Sequence, residues 1–481
     1  MNFIKFKKYF MPVIIGLIIL SGIVFRIILY SFDKPFWNDE CALAFNLFDA
    51  GFTDYFKVLQ YSQAAPPLFL MVSSLFLKIV PDIELALRFI PLLASILSMP
   101  AFYILSKKVL NKNIAVISAL IIFCANYNLI YYAQEFKQYS SDIFIFLGIL
   151  ASYFYIDFKK LNNKQTLLVS LVYSLLIWFS FTSLFALFTI LILILINNKD
   201  ELKKYTLLAA PIGISFIIFY INQHHLSANS FLHEYWINGF IQKDLSNIIA
   251  VVMNNFFYSF NKALILFLIF ITGIIMTLLN FKKNENLILI IPYMLALVLS
   301  YLSIYPLEGR IALYLMPILI LFIAKVLDSI NFKNKIFEYS LISIIFLIIV
   351  IPQLIKIPYT INTKNLSYSD IVTSMKTAKS LMNEDDILYV PLSTKLSFDF
   401  YYKILGIEYN NIVYESELIS DNKEYVAMLE KLPKNKTYYY VFSHHPQKKE
   451  RVETMHSWAS KKEDFAFYYD QNLNMLVKFK L

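Results

Sequence analysis

"MNFIKFKKYFMPVIIGLIILSGIVFRIILY", residues 1–30, sets Lys5, Lys7 and Lys8 ahead of an apolar run from about Phe10 to Tyr30. About 20 residues of helix cross the hydrocarbon of a bilayer, so this run is long enough to span it. A secretory leader has a shorter apolar stretch that ends at a small-residue cleavage site; no such site follows, and the run reads as an uncleaved first span. Basic residues stay on the cytoplasmic side, which puts the N-terminus inside and the stretch after Tyr30 outside. Composition agrees: 58% of the 481 residues are hydrophobic and 16% are charged. A soluble domain carries nearer a quarter of charged residues, so the chain reads as a polytopic α-helical membrane protein.

The net charge of +9 lies in short lysine clusters between apolar runs. Topology accounts for such clusters, and no basic stripe of the kind that binds nucleic acid is present. Cys41 and Cys124 are the only cysteines, and the nine glycines are scattered. Neither a disulfide framework nor a glycine-rich phosphate loop is expected.

Counting spans against the clusters gives crossings at 10–30, 85–106, 113–131 and 142–157, two short ones within 166–196, then 205–221, 262–281, 287–305, 311–327 and 336–357. That makes about eleven spans, with every lysine cluster inside. The apolar stretch 66–80 is too short to cross and ends at Pro81-Asp82, so it is expected to lie along the interface within an outer loop over 31–84. After Pro358, short apolar runs ("DILYVP", "NIVYES", "TYYYVFS", "EDFAFYY") alternate with the helically spaced "NKEYVAMLEKL" and "QKKERVETMHSWASK". The division expected is therefore 1–357 as a membrane domain and 358–481 as an extracytoplasmic α/β domain. His444 and His445 follow a strand there and read as a turn.

Four outer segments carry the polar residues: "WNDE" (37–40), "AAPPLF" (64–69), "YYAQEFKQYSSD" (131–142) and "YPLEGRIALYLMP" (305–317). Asp39 can be a helix N-cap or a carboxylate that takes a proton from a nucleophile; Glu40 suits the first turn of a helix. Glu135 can pair with Lys137, and Tyr139 can anchor at the interface. Arg310 at a helix start runs against the dipole preference, which favours an anion as its partner. Arg26 and Arg88, near the outer ends of their helices, are expected to snorkel. His224, His225 and His233 share an outer loop whose spacing fits no structural zinc pattern.

"LYSFDKPFWNDECALAF" resembles the first outer loop of the GT-C glycosyltransferases of the family 39 and aminoarabinose-transferase type, in which a basic residue of the first span precedes a W-x-D-E motif. "APPLF", "LALRFIPLL", "YYAQEFKQYS" and "GRIALYLMP" are similar to further segments of that family, in the same order over about 1–330. The chain departs from the pattern at Lys137, where arginine is usual, and at Ala64-Ala65, where a polar or basic residue often precedes the proline pair. The resemblance implies an inverting transferase that moves a sugar from a polyprenyl-phosphate donor to a lipid, glycan or protein acceptor in envelope glycoconjugate synthesis, at the outer face of the cell membrane. It implies Asp39 as the catalytic base, with Glu40, Gln134, Glu135, Lys137, Tyr139, Arg88 and Arg310 holding the substrates. A divalent metal ion remains open, with Asp39, Glu135, His224 and His225 as candidate ligands. A flippase or transporter of lipid-linked glycans and a non-enzymatic envelope assembly protein are the competing classes. A transporter would place its charges near the bilayer midplane rather than on one face.

Overall fold

The computed structural model describes residues 3–32, 34–197, 199–227, 230–242, 244–260, 263–331, 340, 351–352, 355–356, 370–417, 419, 421–443, 448–469 and 475–481. The expected crossing at 336–357 and the turn at His444-His445 lie almost wholly outside these residues. The chain divides into two units, 1–32 with 50–356, and 33–49 with 357–481. The segment bearing Asp39 and Glu40 thus groups with the C-terminal part of the chain.

The first unit is helical. Its helices are α1 (Phe3–Tyr30), α3 (Pro67–Phe76), α4 (Ile83–Val109), α5 (Asn113–Ala125), α6 (Tyr127–Tyr131), α7 (Tyr139–Ser152), α8 (Asn163–Phe179), α9 (Ser183–Asn197), α10 (Leu202–Ser227), α11 (Ser230–Tyr235), α12 (Leu245–Phe260), α13 (Leu264–Leu279), α14 (Asn284–Tyr301) and α15 (Met316–Ser329), while α2 (Asn38–Phe45) belongs to the second unit. Among the described residues, five helices are long and apolar enough to cross a membrane, or up to seven if each bent pair is one span. With 14, 17 and 15 residues, α7, α8 and α9 fall short of the ~20 that a straight crossing takes. A short turn separates α8 from α9 within 166–196, and α3 starts at the proline pair, with Pro66 in the N-cap position.

Buried polar groups and close backbone contacts tie these helices together. Arg26 is fully buried rather than snorkelling: Nε donates to Ser95 Oγ at 2.7 Å, and Nη1 donates to the carbonyls of Gly22 at 3.0 Å and Cys124 at 3.1 Å. One guanidinium therefore joins α1, α4 and α5, as a cation held away from water must find internal acceptors. Gly273 lets α13 lie directly on α15, where a Cβ would stand 1.9 Å from the Phe322 carbonyl oxygen. The aromatic rings of Phe256, Phe270, Tyr293 and Phe322 fill the space around that contact.

The second unit is an α/β domain. It contains α16 (Ile371–Leu381), β1 (Ile387–Val390), α17 (Leu392–Leu405), β2 (Ile412–Tyr414), α18 (Asn422–Leu429), β3 (Thr437–Phe442), α19 (Lys448–Ala459), β4 (Glu463–Tyr469) and β5 (Met475–Lys480). The sheet order is β2-β1-β3-β5-β4, with β1 parallel to both neighbours and β5 antiparallel to β3 and β4. Four strands coincide with the expected runs; β5 was not among them. Tyr438, Tyr439 and Tyr440 of β3 are buried, with Tyr440 stacked on Tyr389 and Tyr438 on Phe479. Gly406 ends α17 in the left-handed conformation (φ +59°) that glycine adopts at no steric cost.

Helix α2 packs on α17 through aromatic rings. Phe36, Phe45 and Phe48 surround Phe400 at ring-centroid distances of 5.7, 5.3 and 5.4 Å. The Phe36 amide donates to the Tyr401 hydroxyl at 2.5 Å, and Asn38 Nδ2 donates to the Ser393 carbonyl at 3.0 Å. Aromatic clusters of this kind dominate the burial energy of a small contact.

Candidate functional site

Asp39 sits in the first turn of α2 and is half-buried. The N-cap position belongs to Trp37, so Asp39 is not the cap of this helix. Glu40 is fully buried and turns back to accept from the Trp37 amide at 3.4 Å, the reach of an acid at the third helical position towards the helix start. The cap function therefore falls to Glu40, while Asp39 stands beside it on a helix fixed by Phe400 and Tyr401.

In the helical unit the polar residues gather where regular structure stops. The chain bends by 51° between α5 and the helical turns over 127–134, then runs through Glu135–Gln138 before α7 begins. Glu135 is extended, and the Lys137 amide donates to the Glu135 carbonyl at 2.6 Å in a tight turn. Phe136 pins this turn by stacking on Phe69 of α3 at 5.8 Å. Gln134, Glu135, Lys137 and Tyr139 are all at least nine-tenths buried. Lys137 Nζ donates to Gln63 Oε1 at 2.6 Å, and Gln138 Nε2 donates to the Ala64 carbonyl at 3.3 Å. The expected segments 64–69 and 131–142 are thus brought together, and Gln63, which sequence reasoning missed, is the side chain that meets the lysine. Tyr139 lies edge-on to Tyr132 at 5.3 Å, and the Tyr132 hydroxyl meets that of Tyr258 at 2.5 Å. Arg88 is buried in α4, which packs against α3 and the turn at 132–134. Burial of this much charge is costly unless it is paired or serves a ligand.

Arg310 lies in a 3-10 turn over Gly309–Leu315 with its guanidinium carbon 5.8 Å from the Trp236 ring centre. Burial pushes the carboxyl of neighbouring Glu308 above its ordinary range. Elsewhere in the helical unit, Ser180 Oγ donates to Asp142 Oδ1 at 2.5 Å, a buried acid that sequence reasoning passed over. The histidines fall elsewhere than expected: α10 continues to Ser227, so His224 and His225 are on its last turns rather than in a loop. His224 is exposed, with Nδ1 2.6 Å from the Ile221 carbonyl oxygen; the side chain of His225 is outside the described residues. Among the described residues no three His, Cys, Asp or Glu side chains converge.

Residues 64–222 match the family model described as dolichyl-phosphate-mannose-protein mannosyltransferase. The fold is similar to that of ArnT from Cupriavidus metallidurans bound to undecaprenyl phosphate (TM-score 0.51, 10% identity, 96% of this chain and 97% of that one). It is also similar to the oligosaccharyltransferase AglB from Archaeoglobus fulgidus in complex with an inhibitory peptide and a dolichol-phosphate (TM-score 0.53, 12% identity, 98% of this chain and 74% of that one). No curated protein matches the sequence. The family match covers residues 64–222 of the 481, and at 10% and 12% identity the two solved structures share a fold with this chain.

Proposed function

We propose that this chain is an inverting glycosyltransferase that takes a sugar from a polyprenyl-phosphate donor and passes it to a lipid, glycan or protein acceptor at the extracytoplasmic face. The observation that carries the reading is the buried Gln134–Tyr139 segment, where Lys137 reaches Gln63 beside the proline pair inside the matched span. The solved relatives hold undecaprenyl phosphate or dolichol-phosphate, a ligand class whose charged end needs cationic partners at the edge of an apolar bundle.

In this reaction the acceptor's nucleophilic oxygen or nitrogen forms a bond to the anomeric carbon while the bond from that carbon to the phosphate oxygen breaks. Asp39 takes the acceptor's proton, and the electron pair leaves with the polyprenyl phosphate. Lys137 and Arg310 hold the departing anion by charge-assisted hydrogen bonds, which strengthen as charge develops on it. Glu135, Gln134, Tyr139 and Arg88 orient sugar and acceptor, and Glu40 keeps the first turn of α2 closed so that the adjacent carboxylate is presented in one conformation. The test is transfer of labelled sugar from extracted polyprenyl-phosphate donors by the purified protein, beside Asp39→Asn. Transfer that collapses in the variant supports the reading; equal transfer by both proteins removes Asp39 from the role of base.

A further inference from the structure

A strap from a distant part of the chain reaches Arg310. It is the segment 236–241, which follows α11 and includes a 3-10 turn over Ile237–Gly239. Three hydrogen bonds staple it to the stretch that carries the arginine. The Leu307 amide donates to the Gly239 carbonyl at 2.8 Å, the Ser300 hydroxyl donates to the same carbonyl at 3.0 Å, and the Ile241 amide donates to the Ser300 hydroxyl oxygen at 3.1 Å. Gly239 is buried against Glu308; a Cβ there would stand 2.7 Å from the Glu308 Cβ, so the close approach depends on glycine. Phe240 and Ile241, both buried, hold the strap down on its far side.

The strap presents the indole of Trp236 to the arginine. The guanidinium carbon lies over that ring at 5.8 Å from its centre, inside the ~6 Å within which a cation gains from an aromatic face. The indole is itself set in place. The Trp236 amide donates to the Leu232 carbonyl at 3.2 Å, the Trp236 carbonyl accepts from the Gly239 amide at 2.9 Å, and Tyr235 meets the ring edge-on at 4.9 Å. A carboxylate in the same place would neutralise the arginine and compete with an incoming anion. An aromatic face does neither: it attracts the cation through its quadrupole and leaves the in-plane N–H fork to grip oxygens two at a time.

We propose that Trp236 is a positioning residue for phosphate recognition, whose indole holds the Arg310 guanidinium in one orientation with its N–H fork available to the phosphate of the lipid-linked donor. The inference rests on the reading that Arg310 holds that phosphate. A long side chain ordered before its ligand arrives loses less freedom on binding, so the indole adds affinity without touching the lipid. Gly239 and Ser300 act one step further back, through the placement of Trp236.

The experiment measures binding of undecaprenyl phosphate, which carries the anion and no sugar, to the purified full chain in detergent. Wild type is compared with Trp236→Ala, Trp236→Phe, Arg310→Ala and the double variant Trp236→Ala/Arg310→Ala. Arg310→Ala is expected to weaken binding about tenfold, the loss of one charge-assisted contact. Trp236→Ala is expected to weaken it about three- to tenfold, the worth of a cation–π contact, and Trp236→Phe, which keeps an aromatic face, to lose less. The double variant is expected to bind no more weakly than Arg310→Ala alone, whereas general damage to the strap would add its own loss. Binding by Trp236→Ala as tight as wild type, a phenylalanine variant as weak as the alanine one, or additive losses in the double variant overturns the proposal and leaves the role of Arg310 standing. Binding by Arg310→Ala as tight as wild type, or no binding by wild type, removes that role and the inference with it.

Discussion

A single position carries the largest expected effect. Removing the charge of Asp39 without changing its shape, as in Asp39→Asn, is expected to lower the transfer rate by about 100- to 10,000-fold, the range for loss of a positioned general base. Donor binding is expected to survive, and a binding assay on the same preparation separates the two. At Lys137, alanine is expected to weaken donor use about 10- to 100-fold, the worth of a charge-assisted contact, while Lys137→Arg keeps most of it. Equal activity of the alanine variant would detach this lysine from the phosphate. The acids and the lysine were legible because charged residues at the edge of apolar runs stand out. Gln63 was not, since its meeting with Lys137 spans 74 positions and no local pattern reports it. Arg26 was misjudged for a related reason: its acceptors on α4 and α5 are supplied by tertiary packing, which overrides a side chain's freedom to snorkel.

Among the elements, α2 depends on α17. Phe400→Ala removes the ring around which Phe36, Phe45 and Phe48 pack, a loss of about 3–5 kcal/mol for a buried phenylalanine. The expected outcome is slower transfer together with faster proteolysis or hydrogen exchange confined to α2 and α17; unchanged exchange there would show that α2 is held by other means. The contact between α13 and α15 gives a second forecast. Gly273→Ala forces two backbones apart and is expected to cost about 1–3 kcal/mol, read as a lower thermal midpoint in detergent. Helix and strand positions were widely readable from period and from proline punctuation, as with α3 and β1–β4. The six residues of β5 escaped notice although their burial alternates near the end, because nothing local marks a strand that pairs back across the sheet. Continuation of α10 through His224 was missed because polar residues do not by themselves end a helix.

For the whole molecule, two glutamates with opposite shifts contribute to the pH response of the α/β unit. The Lys462 hydrogen bond, helped by Trp458, holds Glu430 below the ordinary glutamate range, so its contribution to stability is present above that range and is lost as pH falls through the depressed value. Burial raises Glu415, so the folded unit holds that proton more tightly than the unfolded chain, and stability falls as pH rises from the ordinary glutamate value through the raised one. Thermal melts across this interval are expected to show a flatter acid limb in Glu430→Gln and a flatter limb just above it in Glu415→Gln. Identical profiles for wild type and both variants would refute the assignment.

Grouping of residues 33–49 with 357–481 also bears on how the chain is made. The Phe36 amide and its Tyr401 partner are 365 positions apart, so at about 5–20 residues per second a ribosome takes roughly 20 to 70 s between the two. Through that interval the acidic helix has left the ribosome while the surface it folds against does not yet exist. Nascent chains carry its phenylalanines without their partner, and the carboxylate gains its fixed position only after Tyr401 has been made.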